Sequence, residues 1–144
     1  MIYCDTSLLL SLYVADGGSD RAGELLDNAS EPLVWSVWHE LEFIAALEAR
    51  VGRGSTTRKE ADGVSAELAM HRDRDGLYVV RSADWDRVLA RATDLAKKWG
   101  ADFLCRSLDL LHVAVCLELG VGQFWSFDER QRKMAASEGL RINL

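Results

Sequence analysis

At 144 residues, with 49% hydrophobic residues, 28% charged residues and one proline, the chain has the size of a single globular domain (1–144) that buries roughly two thirds of its unfolded surface. A formal net charge of -6 excludes a general nucleic-acid coat, which needs an excess of Lys and Arg, but not an enzyme that handles phosphates through an acidic, cation-recruiting site. No run approaches the roughly 18 apolar residues of a membrane span, the short N-terminal hydrophobic run has no basic region before it, and Cys4, Cys105 and Cys116 form no CxxC pair. The expectation is a soluble, cytoplasmic protein with free thiols and no membrane partner.

The chain starts with MIYC (1–4), a short run of β-formers, and TSLLLSLYV continues as a helix over 6–14. A helix at 20–29 precedes the strand LVWS (33–36), and a helix over 37–51 leads through the turn GRGSTT (52–57) into another at 56–73. After the strand LYVV (77–80) comes the clearest helix, 84–99, where Trp85, Val88, Leu89, Ala92, Leu95, Ala96 and Trp99 share one face and Gly100 stands ready to end it. A nearly all-apolar helix at 107–119, the strand QFWSF (123–127), a helix at 129–137 and the strand LRINL (140–144) complete the pattern. Strands alternating with one or two helices predict an α/β fold: a central parallel sheet of about five strands with helices on both faces. The five tryptophans fit apolar faces and read as core, not as a base-stacking platform.

Ligands of open α/β sheets bind beyond the carboxyl ends of the strands. Asp5 follows MIYC and Asp128 follows QFWSF, although taken alone each reads first as the N-cap of the helix after it. Asp109 and His112, three apart, form the polar stripe of the apolar helix SLDLLHVAVCLEL. Asp109 there is either a first-turn acid complementing the helix dipole, with Ser107 as cap, or the acidic spot of a metal pocket. His112 alone reads best as a hydrogen-bonded core histidine. In SVWHELEFIAALEAR, Glu40 and Glu42 are about 200° apart around a helix, so they cannot both face one pocket, and periodicity does not choose between them. No GxSxG, Walker loop, GxGxxG or HExxH is present.

Taken together, YCDTSLLLSLYV, HELEFIAALEAR and RSLDLLHVAVCLELGVGQFWSFDERQRKMAASEGLRINL resemble the PIN-domain family, in particular the VapC-type toxins of type II toxin–antitoxin systems. The resemblance implies a PIN-like parallel sheet and a metal-dependent endoribonuclease whose acids map to Asp5, Glu42, Asp109 and Asp128. Glu42 is preferred over Glu40 because Glu42, Ala46, Leu47 and Arg50 meet the family pattern. Thr6 and Ser126 match small hydroxyl positions beside the acids. Two carboxylates about 4 Å apart repel by roughly 4 kcal/mol at an effective dielectric near 20, so such a cluster invites Mg²⁺ or Mn²⁺. Arg106, Arg130, Arg132 and Lys133 are candidates for guiding an RNA backbone, and single-stranded or looped RNA is the expected substrate. An antitoxin that blocks the pocket and a homodimeric assembly are implied by the resemblance alone. The competing readings are a PIN nuclease of RNA processing, a phosphatase-like α/β domain, which lacks its DxD pair here because position 7 is Ser, and a binding module whose acids only cap helices.

Overall fold

The computed structural model describes residues 1–143; Leu144, at the end of the expected 140–144 strand, lies outside the described residues. The elements in order are β1 (Tyr3–Cys4), α1 (Thr6–Ser11), α2 (Ser19–Asp27), β2 (Leu33–Trp35), α3 (Val37–Gly52), α4 (Arg58–Asp73), β3 (Tyr78–Val80), α5 (Trp85–Phe103), α6 (Ser107–Glu118), β4 (Gln123–Trp125), α7 (Glu129–Ser137) and β5 (Arg141–Ile142). All strand pairs are parallel: β1 with β4, β4 with β5, and β2 with β3. A parallel bridge between Ile2 and Leu33 joins the two groups, giving the order β3-β2-β1-β4-β5.

The order follows from how the strands alternate. Ile2, Cys4, Leu33 and Trp35 point into one apolar layer with Leu8, Phe43, Leu47 and Leu68 from the helices before β3. Tyr3, Val34 and Phe124 point the other way, onto Val88, Leu95, Val113 and Met134 of the later helices. A strand apolar on both faces is stable only when both faces are covered, which α1–α4 and α5–α7 accomplish. The chain steps outward through β2 and β3, then returns to lay β4 on the other side of β1. The reversal falls between β1 and β4, where strand ends leave a crevice.

Several boundaries differ from the expectation. The strands are two or three residues long, so Ser126 and Phe127 separate β4 from Asp128. Helix α1 stops at Ser11, where the Tyr13 and Val14 amides turn back to the Leu10 carbonyl. Helix α5 runs through Gly100 to Phe103, and Leu104 takes the left-handed conformation (φ 54°) to turn into α6. Packing of α5 along α6 outweighs the local preference of Gly100 to stop. Leu89 and Ala96, expected on the buried face, are exposed. The cap of α6 is Arg106 and not Ser107, which is already its first helical residue, and Leu108 on that helix is exposed. The three cysteines are free, and no helix among the described residues is long and apolar enough to cross a membrane.

Leu104 is 70% exposed, so its side chain gains little from a backbone state that costs about 1–2 kcal/mol in an L-residue. Leu104→Gly therefore raises stability by about 0.5–1 kcal/mol net of the extra chain entropy of glycine, read as a higher urea midpoint at unchanged slope. An unchanged or lower midpoint contradicts this account of the turn.

Candidate active site

Beyond the ends of β1 and β4 lies a cavity of about 410 Å³ lined by Asp5, Thr6, Ser7, Glu42, Arg106, Asp109, His112, Asp128, Arg130 and Gln131, among others. The four carboxylates reach it from four places in the chain: the end of β1, the middle of α3, the first turn of α6 and the start of α7.

Asp5 is the innermost, 4% exposed. Its Oδ1 accepts the Leu8 amide (3.0 Å), the N-cap bond of α1, while Oδ2 accepts the hydroxyls of Ser7 (2.8 Å) and Ser126 (3.0 Å). Capping and facing the cavity are thus compatible in one side chain. Burial raises its pKa above the ordinary aspartate value; the charge of His112 and these hydrogen bonds oppose the rise without cancelling it.

Glu42 accepts hydrogen bonds at Oε2 from the Thr6 hydroxyl (2.8 Å) and from His112 Nε2 (2.5 Å). Burial alone would raise its pKa, but His112, by hydrogen bond and by charge, together with Thr6 holds it below the usual glutamate value. Glu40 does not line the cavity; it accepts from Trp35 Nε1 (2.9 Å) and Arg72 (3.1 Å) elsewhere on α3.

Asp109 accepts the Arg106 amide (3.0 Å) at Oδ2 and the Gln131 side-chain amide (3.1 Å) at Oδ1. Asp128 caps α7 through the Arg130 amide (2.7 Å) and is gripped by the Arg130 guanidinium (2.8 Å), whose hydrogen bond keeps its pKa low against partial burial. Ser126 does not line the cavity but braces it from beneath: its hydroxyl donates to Asp5 and accepts the Asp128 amide (2.9 Å), while Asn143 clamps its backbone at N and O.

Arg106 and Arg130 line the mouth, whereas Arg132 turns back to the Ser126 carbonyl (2.7 Å) and Lys133 pairs with Glu129 (2.7 Å). Ser7, Gln131 and Tyr3, which bonds His112 Nδ1 (3.0 Å), escape sequence reasoning. The hydroxyl two residues after a candidate cap was a signal for Ser7; nothing local distinguished the other two.

The donor chemistry, carboxylate oxygens in a polar cavity, suits a hard divalent cation. Among the described residues, however, no group of three Asp, Glu, His or Cys side chains is drawn together tightly enough to enclose one. The match is one of donor type. Direct ligation would require the side chains to draw inward or water to complete the shell.

A parallel sheet with acids gathered at its reversal point defines an α/β site of the kind that works on the chemistry of its strand ends. A model of the PIN domain family matches residues 2–137, and the chain belongs to that family. A search of curated proteins finds no match. Among solved structures, the chain is similar to VapC20 of Mycobacterium tuberculosis, described as a sarcin-ricin loop cleaving toxin, with a TM-score of 0.68 and 18% identity over 98% of this chain and 99% of that one. It is also similar to FitAcB from Neisseria gonorrhoeae, with a TM-score of 0.69 and 14% identity over 100% of this chain and 97% of that one. At these identities the likeness is one of fold.

A raised folded-state pKa means that the native state binds the Asp5 proton more tightly than the unfolded chain does. Its contribution to stability is present at low pH and is lost as pH rises through the folded value. Asp5→Asn keeps a capping side chain and removes the buried charge, so with chelator present it melts above wild type at neutral pH. The gap closes as pH falls below the ordinary aspartate range. A variant less stable than wild type at pH 7 contradicts this.

Proposed function

We propose that the protein is a metal-dependent endoribonuclease acting in the cytoplasm as the toxin of a type II toxin–antitoxin pair. The observation that carries the reading is the convergence of Asp5, Glu42, Asp109 and Asp128 on one cavity flanked by Arg106 and Arg130. Membership of the PIN family and a fold shared with a toxin described as cleaving the sarcin-ricin loop support the reaction class.

The four carboxylates are the residues that would hold Mg²⁺ or Mn²⁺. Such an ion, when bound, supplies a Lewis acid that acidifies the attacking water and offsets charge on the phosphate. The remaining work belongs to the chain. Three hydrogen bonds hold the Asp5 carboxylate in a fixed orientation at the floor of the cavity. Thr6 orients Glu42. Arg106 and Arg130 line the mouth of the cavity, where their guanidiniums would meet RNA phosphates. The water's oxygen bonds to phosphorus as the P–O bond to the leaving nucleoside breaks, and the proton the water gives up ends on the departing oxygen. Single-stranded or looped RNA fits because its phosphates reach an open cavity.

The partners follow from the same reading. A cognate antitoxin silences the site by occupying the cavity with a peptide segment. A second copy of the chain covers the exposed apolar residues Val37 and Leu41 of α3, which are 59% and 62% exposed. On the same helix Trp38 touches Trp85 at the start of α5 (centroids 6.2 Å apart).

Incubated with an RNA pool, the protein cleaves with Mg²⁺ or Mn²⁺ and stops with chelator. Asp5→Ala loses more than about 100-fold, beyond what outer partners of metal sites usually account for. Cleavage that survives both chelator and the substitution sinks the reading. In sedimentation equilibrium, wild type is a dimer and Leu41→Glu a folded monomer; a variant that stays dimeric places the interface elsewhere.

A further inference from the structure

We propose that Tyr3 and His112 form a buried positioning chain that holds the Glu42 carboxylate in place, with Tyr3 oxygen on His112 Nδ1 and His112 Nε2 on Glu42 Oε2. The inference deepens the nuclease reading of the cavity and rests on it. Tyr3 is fully buried in β1 and His112 is 3% exposed on α6, so the chain links the sheet, a helix of the second layer and a helix of the first. It has its own supports. The Tyr3 ring is stacked on Phe124 (centroids 5.9 Å apart, planes at 12°) and lies against the ring of His39 (4.6 Å).

Simple packing does not explain this arrangement. A hydroxyl and an imidazole inside an apolar layer are unfavourable unless each polar atom is paired, whereas Phe and Leu would fill the same space without that requirement. Here the pairing runs in one direction and ends in the cavity. A carboxylate only accepts, so His112 Nε2 carries a proton toward Glu42, and the Tyr3 oxygen fixes the ring from behind. Among the described residues, His112 and Thr6 both fall on Oε2, leaving Oε1 as the oxygen free to meet a ligand. His39 is a different case: its Nε2 meets the Cys4 carbonyl (2.8 Å), burial holds its pKa down to about 3, and it serves as a neutral tie between α3 and β1. Tyr3 and His112 are thus positioning residues, acting on the reaction through Glu42.

The test uses full-length Tyr3→Phe, His112→Gln and His112→Asn, each checked for a wild-type circular dichroism spectrum. Glutamine carries its amide nitrogen near the place of Nε2, whereas asparagine reaches only that of Nδ1. On a defined RNA substrate, His112→Asn lowers kcat by about 10–100-fold with little change in KM, and His112→Gln restores most of it. Tyr3→Phe, which keeps the ring and its packing, lowers kcat by a smaller factor. Independently of RNA and metal, a downfield imidazole N–H proton in the NMR spectrum is lost in His112→Gln and moves in both Tyr3→Phe and Glu42→Gln. A downfield signal indifferent to Tyr3→Phe and Glu42→Gln overturns the chain, as do equal kcat values for His112→Asn and His112→Gln. If wild type cleaves no RNA, the nuclease reading fails by itself, and the NMR signature still decides the chain.

Discussion

The ends of β1 and β4 are held together around one buried carboxylate. Asp5 takes its hydrogen bonds from the first turn of α1 and from Ser126 just beyond β4, and Ser126 in turn receives the Asp128 amide and is clamped by Asn143 after β5. Three parallel strands therefore converge on a group whose burial opposes its charge. The neighbouring apolar layers make that placement possible, because Tyr3 and Phe124 on one side and Cys4 and Leu8 on the other anchor the strand ends that carry the acid.

From that point the cavity follows from topology. Order β3-β2-β1-β4-β5 reverses at β1/β4, so the helices that follow the two central strands diverge and leave a crevice. Helices α3 and α6 close its sides and bring Glu42 and Asp109. Within the site Glu42 is hydrogen-bonded to His112 and Asp128 is paired with Arg130. The Arg130 guanidinium lowers the repulsion within the four-acid site and is the partner that a ligand can displace, while His112 stays on Glu42. Stability is thereby traded for a poised charge, as functional sites commonly require.

Much of the fold was legible because the sheet is buried on both faces: runs such as MIYC and LVWS announce themselves, and the helices between them show an apolar face. What was not legible came from tertiary packing. Gly100 is a local stop signal overridden by the long contact of α5 with α6, and the left-handed Leu104 has no sequence mark. In the site, Asp5 and Asp128 were visible as strand-end acids, and their capping bonds exist alongside their place in the cavity. Glu42 and Glu40 were not separable by period; the resemblance favoured Glu42, which lines the cavity, while Glu40 is taken up by Trp35 and Arg72. His112 is the buried, hydrogen-bonded histidine its apolar helix indicated, but its partners, 109 residues away at Tyr3 and 70 away at Glu42, exist only in three dimensions. Arg132, grouped with Arg130 by sequence, turns inward to a backbone carbonyl.

In the proposed nuclease the four acids form one cation site. Its most direct measurement is a crystal structure of the protein soaked in Mn²⁺, with anomalous data collected near the manganese edge. The account predicts a peak in the cavity among Asp5, Glu42, Asp109 and Asp128, with Arg130 withdrawn from Asp128. A well-ordered cavity without a peak at saturating Mn²⁺, or manganese bound only elsewhere on the surface, would contradict it.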